Sequence, residues 1–291
     1  MTKGFVTIKP LFLNLPSDFA LLQELITLLY VYTEGPDARS QMVVDNGILP
    51  QVFKCIGMPD KMVKRYSIGV IGNITGCAHP IASAVYHSDQ FMEQLVSELV
   101  GSGEEKVIRF CLWVLKNIIC GGGSFSVSIL FELNALRRVS ELVSGVGGGG
   151  ESGNAVRDSA LVVFSSAVER ASDSVVRKMM AELEPIPHFL QVLAHPKKEP
   201  TLILKHALEG LSICLKRIQD LSSGGGEEYH ETVRELEKIG VEQILGKLTT
   251  HESGAVHKKA TEVLELIEGD NHYDEHEEEE EESHEHKTIE F

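Results

Sequence analysis

The sequence predicts an all-α protein built as a solenoid of stacked helical repeats, and three observations carry that expectation. Apolar content comes from Leu, Val, Ile and Ala, with only 6% aromatic residues and a single tryptophan, Trp113, which suits thin layers of packed helices better than a deep aromatic core. One apolar pattern recurs five times along the chain. No stretch alternates apolar and polar residues between hairpin turns, so strand content should be near zero. With 291 residues, 43% hydrophobic and 24% charged, the chain can bury a sizeable core and cannot be wholly disordered.

The recurring unit is a turn, a short apolar segment, a second turn and a longer apolar helix. The short part occurs at Val43–Ile56, Phe91–Val100, Leu130–Val143, Ala181–Leu193 and Leu236–Leu248. The long helices are Ser67–Gly76, Cys111–Gly121, Ala160–Glu169, Ala207–Lys216 and Ala260–Glu268, whose starts are separated by 44, 49, 47 and 53 residues. That period is armadillo-like and predicts a right-handed superhelix. The glycine and serine runs Gly145–Gly153 and Ser222–Glu228 cannot be helix interior and should lengthen the loops. Neither run has the GxxxxGK[ST] form of a phosphate-cradling loop.

A helix of the long type, Glu24–Gly35, precedes the first complete unit, so the chain enters in mid-repeat. Either residues 1–20 fold back as an improvised cap, or the chain is the C-terminal part of a longer solenoid whose first face would otherwise be exposed. The expected organisation is an N-terminal segment 1–20, armadillo repeats over 21–268, and a disordered acidic tail over 269–291.

Charge is unevenly placed. The total is −16, yet residues 268–291 hold twelve acids against Lys287 alone, −11 of that total, leaving −5 for the body. No basic face is evident for a phosphate backbone, so nucleic acid is excluded as a partner and basic proteins fit better. The five cysteines, Cys55, Cys77, Cys111, Cys120 and Cys214, form no CxxC and read as buried, reduced thiols rather than disulfides or zinc ligands. No apolar stretch approaches ~20 residues and no cleavage pattern opens the chain, so neither secretion nor a membrane span is expected.

Several segments resemble importin-alpha, the adaptor that reads nuclear localisation signals. Tyr30–Ile48, YVYTEGPDARSQMVVDNGI, is similar to the end of the family's fourth repeat and the start of its fifth, and SIGVIGNITG at Ser67–Gly76 to the fifth repeat's long helix. CLWVLKNIICG carries the family's WxxxN as Trp113 and Asn117. ALEGLSICLKRI resembles the eighth-to-ninth repeat region, and Glu235–Gly269 the final repeat, followed by an acid-rich tail as in the family.

The WxxxN spacing has its own physical reading. Residues four apart share a helical face; an indole can stack on a Lys or Arg stem at ~0.5–2 kcal/mol, and an Asn amide can both donate to and accept from an extended peptide backbone. Spacing alone favours the plainer account, with Trp113 a core residue and Asn117 a satisfied polar group. The resemblance reverses that preference. It implies peptide binding by Trp113, Asn117 and Asn73, with three degenerate groove positions: Gly69, where the family has Arg, and the pair Val162 and Ser166.

What the resemblance implies is therefore the family's minor signal-binding site and the C-terminal region, Glu235–Phe291, engaged in the family by the nuclear export receptor. The major site and the importin-beta-binding segment have no counterpart in the sequence, which makes importin-beta a doubtful partner. The expected function is an adaptor for basic signal-bearing cargo in nuclear import, moving between cytoplasm and nucleus, with an armadillo interaction scaffold or a truncated paralogue without import activity as the alternative. No GxSxG, HExxH or paired carboxylates at a strand end occur, so no enzyme, cofactor or membrane partner is expected. His272, His276, His284 and His286 lie among tail acids without fixed spacing and offer at best a weak, unselective metal site; the tail reads as an electrostatic lure for basic partners or a solubility device.

Overall fold

The computed structural model describes residues 9–86, 88–144, 151–222 and 227–268. The expected tail, its four histidines, residues 1–8 and the glycines at 145–150 and 223–226 lie outside the described residues. Among those described there are helices and no strands. The chain divides into two compact units, one through Val175 and one from Val176.

In the first unit the entering helix is Phe19–Thr33, begun by Asp18, whose carboxylate accepts from the Ala20 and Leu21 amides at 2.8 and 3.2 Å. This side-chain cap satisfies amides that have no partner inside the helix. Leu22 and Ile26 on its inner face pack with Cys55 and Val63, and Leu15 from the preceding segment packs on the same cluster. Each following repeat has three helices rather than two. The first is Asp37–Asp45, Leu49–Ile56 and Lys61–Thr75; the second is His79–Tyr86, Asp89–Gly101 and the opening part of Glu105–Glu132.

At four places the extra helix comes from a sharp corner inside what reads in the sequence as one short segment. Gly47 has φ 68°, Asn134 φ 60°, Glu184 φ 45° and Gly240 φ 81°. Each left-handed residue stops one helix and aims the next, as at Ala135–Val143, Pro185–Leu193 and Val241–Leu248. Glycine takes this conformation freely and asparagine at small cost.

Glu105–Glu132 is longer and more apolar than the sequence reading allowed, and is apolar enough by composition to cross a membrane. Gly123, at φ 59° and ψ −147°, interrupts it, and Cys111, Leu112, Leu115, Ile118 and Ile119 are fully buried in protein. At Gly121 the ring of Tyr86 comes so close that a Cβ would overlap its hydroxyl; that hydroxyl donates to the Thr75 carbonyl at 3.1 Å.

The C-terminal ends of the two glycine runs, expected as loop, are helical: Gly153 lies inside helix Glu151–Arg170 and Glu227 opens helix Glu227–Ile239. Gly153 falls in the first turn, where amides lack intrahelical partners and a helix-interior glycine has least to lose.

The second unit repeats the plan with Pro185–Leu193 against Thr201–Leu221, then Glu227–Ile239, Val241–Leu248 and a helix over 254–268. Its core includes Phe189, Leu204, Leu208, Cys214, Leu215 and Tyr229, with the Tyr229 hydroxyl donating to the Leu266 carbonyl at 2.8 Å.

Candidate functional site

The long helices of the first unit pack side by side: Phe19–Thr33 against Lys61–Thr75, and Lys61–Thr75 against Glu105–Glu132. Their outward faces put equivalent residues in rows. Asn73 donates through Nδ2 to the Tyr30 carbonyl at 3.2 Å and to Thr33 Oγ1 at 3.0 Å. One repeat on, Asn117 donates through Nδ2 to the Gly72 carbonyl at 3.1 Å. Each asparagine thus ties its helix to the carbonyls ending the previous long helix.

These bonds fix what the amides can still do. Asn73 spends both N–H groups and keeps its oxygen as an acceptor; Asn117 spends one and keeps a donor and an acceptor. Both are half-buried. A donor beside an acceptor is what an extended backbone requires, so Asn117 is the stronger peptide ligand of the two.

Trp113 is 37% exposed, which excludes a plain core role. Its indole lies against Gly72, where a Cβ would overlap Cζ3 and fall 2.5 Å from Cε3 and 2.7 Å from Cη2, and meets Phe110 edge-on at 6.0 Å between centroids. Gly69 has the same relation to other rings, since a Cβ there would sit 2.6 Å from Phe110 and 2.8 Å from Tyr30. The degenerate position is therefore buried and roofed by neighbouring aromatics, leaving no room for a side chain. Val162 and Ser166 are half-buried on Glu151–Arg170 and bring no aromatic wall and no amide.

Sequence reasoning missed what surrounds Trp113. Tyr30 packs on Tyr66 at 5.3 Å and on Phe110 at 6.0 Å, forming an aromatic floor. Arg65 lies over the Tyr66 ring at 4.8 Å and 3.9 Å from Glu104. Together with Lys106, Arg109 and Ser159 these residues and Trp113 line one open groove of about 540 Å³. Burial, then the Glu34 carboxylate, pushes the Tyr30 phenol up to about 12, so it adds no negative charge to the groove near neutral pH.

A signal for this existed. RYSIGVIGN at Arg65–Asn73 and RFCLWVLKN at Arg109–Asn117 share Arg, an aromatic and Asn at matching positions, which the reading of WxxxN alone passed over.

The cysteines need one correction. Cys55, Cys111 and Cys214 are buried, but Cys77 is only partly so and Cys120 is exposed, because it projects from the outward face three residues past Asn117. Burial raises the Cys55 thiol to about 11 and pushes Cys111 and Cys214 further up. Among the described residues no group of three or more His, Cys, Asp or Glu could hold a metal ion. A larger recess in the second unit, about 940 Å³ between 194–201 and 247–252, mixes Lys197, Lys198 and Lys247 with Glu199 and Glu252.

No protein-family model matches the sequence, and no curated protein matches it. Solved structures do. A designed armadillo-repeat protein in complex with the peptide (KR)4 is 20% identical, with a TM-score of 0.71 over 89% of this chain and 99% of the other. Computationally designed armadillo-repeat proteins for modular peptide recognition match equally, at 20% identity and a TM-score of 0.71 over the same shares. A further designed armadillo-repeat protein reaches 0.69 at 19% identity, over 89% and 99%. The fold is that of an armadillo-repeat protein.

Proposed function

We propose that this chain is a non-enzymatic armadillo adaptor that holds an extended segment of a partner protein along the Asn73–Asn117 row, with one side chain of that segment against Trp113. The observation that carries the reading is Asn117, held to the Gly72 carbonyl with a donor and an acceptor to spare, beside an indole exposed in a groove. The fold shared with designed peptide-binding armadillo proteins supports it. The resemblance to importin-alpha supports the finer role: carriage of signal-bearing cargo between cytoplasm and nucleus, with an export receptor engaging Glu235–Phe291.

Because Trp113 is the sole tryptophan, intrinsic fluorescence reports ligand at the groove directly. Titration with unstructured ten-residue peptides, including a lysine-rich signal peptide, should shift or quench its emission saturably. Emission that ignores every peptide, whatever its charge, would rule the adaptor reading out.

A further inference from the structure

The charge of the groove says which segments it takes. Three cations, Arg65, Lys106 and Arg109, line it alongside Trp113. Glu104 is paired with Arg65 at 3.9 Å, Glu34 interacts with the Tyr30 phenol, and Glu105 precedes Lys106 on the same helix. Lys106 and Arg109 are exposed, and among the described residues neither has an acidic partner within ion-pair distance. Arg65 is held in place by its stack on Tyr66 at 4.8 Å, so its guanidinium is already oriented. Whatever chain lies on Asn117 and Trp113 has its side chains next to uncompensated positive charge. A lysine-rich segment would be repelled there, while carboxylates would find ready partners.

We infer that the Trp113 groove selects extended segments rich in aspartate and glutamate from a partner protein, in place of the basic signals read by the family this chain resembles, which keeps the adaptor reading and gives up its basic-cargo role at this groove. The inference rests on the proposed adaptor function: Asn117 and Asn73 hold the main chain irrespective of sequence, and Arg65, Lys106 and Arg109 choose among side chains. An acidic partner segment also meets the groove's aromatic floor with its aliphatic Glu stems, which a shorter anion such as phosphate lacks. The chain's own C-terminal sequence has the same chemistry, and the test separates it from a partner.

The experiment uses the full chain and three matched ten-residue peptides of serine and glycine carrying four glutamates, four lysines or four glutamines, followed by Trp113 fluorescence at physiological salt. Exposed ion pairs contribute up to about fivefold each in affinity, so the glutamate peptide should bind roughly ten times more tightly than the lysine peptide, with glutamine between. The glutamate affinity should fall as salt rises. K106E/R109E should reverse the order of glutamate and lysine while leaving the glutamine peptide within about threefold; K106Q/R109Q, milder for folding, should bring all three together.

Lysine binding best overturns the inference and leaves the adaptor reading standing. Failure of all three peptides overturns both. If added salt alone, without peptide, shifts Trp113 emission in the native protein but not in K106E/R109E, the chain's own acidic C-terminus occupies the groove and the proposal of a partner segment is wrong.

Discussion

Gly72→Ala adds one methyl group beneath the side chain on which the site depends. The new Cβ would overlap Cζ3 of Trp113 and lie 2.5 Å from Cε3 and 2.7 Å from Cη2, against the ~3.5–4.0 Å at which carbon atoms rest in contact. The indole must therefore rise by roughly 1.5 Å. Because it is 37% exposed, it can move into the groove rather than into the core. Alanine in a helix interior gains ~1 kcal/mol over glycine, and mild overpacking costs ~1–3 kcal/mol, so stability should fall by no more than about 2 kcal/mol. Lifting the ring disturbs its edge-on contact with Phe110, worth ~0.5–1.5 kcal/mol, and its ligand contact by a similar amount. Peptide affinity should drop roughly 2- to 12-fold, and the emission of the free protein should shift. Thermal melts and fluorescence titration of the same variant read both effects. Unchanged emission and affinity would mean that the indole does not sit over Gly72; collapse of the fold would return Trp113 to the core.

Asn73→Ala removes two hydrogen bonds that join adjacent repeats and should destabilise the protein by about 1–3 kcal/mol, seen as a lower melting temperature; an unchanged melt would dissolve the tie between the helices. Asp60 caps Lys61–Thr75 through the Met62 and Val63 amides at 3.0 and 2.9 Å and accepts from Gln23 at 2.8 Å, so Asp60→Ala should cost ~0.5–2 kcal/mol. Its carboxyl is held below the usual aspartate range, first by the Val63 amide. A depressed folded value means that the contribution is present above the ordinary aspartate pKa and is lost as pH falls through the folded one; Asp60→Asn should flatten that acid-side loss in melts taken between neutral and low pH. With a small thiol reagent at neutral pH, Cys120 should react first and Cys77 next, while Cys55, Cys111 and Cys214 wait for unfolding; mass mapping showing early labelling at Cys111 or Cys214 would contradict their burial.

The long helices were legible because their apolar period runs through several turns and recurs at nearly constant spacing. The corners were only half legible. Gly47 and Gly240 carry the residue type that a left-handed turn favours, whereas Glu184 adopts φ 45° against its preference, its conformation set by the packing of Pro185–Leu193. Trp113 and Asn117 could be placed on one face from spacing alone, but their environment could not: Gly69 reads as a lost side chain until Phe110 and Tyr30 are seen above it. Groove charge was not legible for a related reason. Net charge −16 describes the whole sequence, whereas Arg65, Lys106 and Arg109 are gathered by helix packing across 44 residues into one recess, a grouping that no sequence total shows.

The proposed function turns on Asn117 holding the partner's main chain. A double-mutant cycle tests it most directly, pairing Asn117→Ala with a peptide N-methylated at its central amide and measuring all four affinities by calorimetry. Each change alone should weaken binding, and the second change should add little once the first is made, a coupling of about 1 kcal/mol. Fully additive effects, with N-methylation as harmful to the Asn117→Ala protein as to the native one, would contradict it.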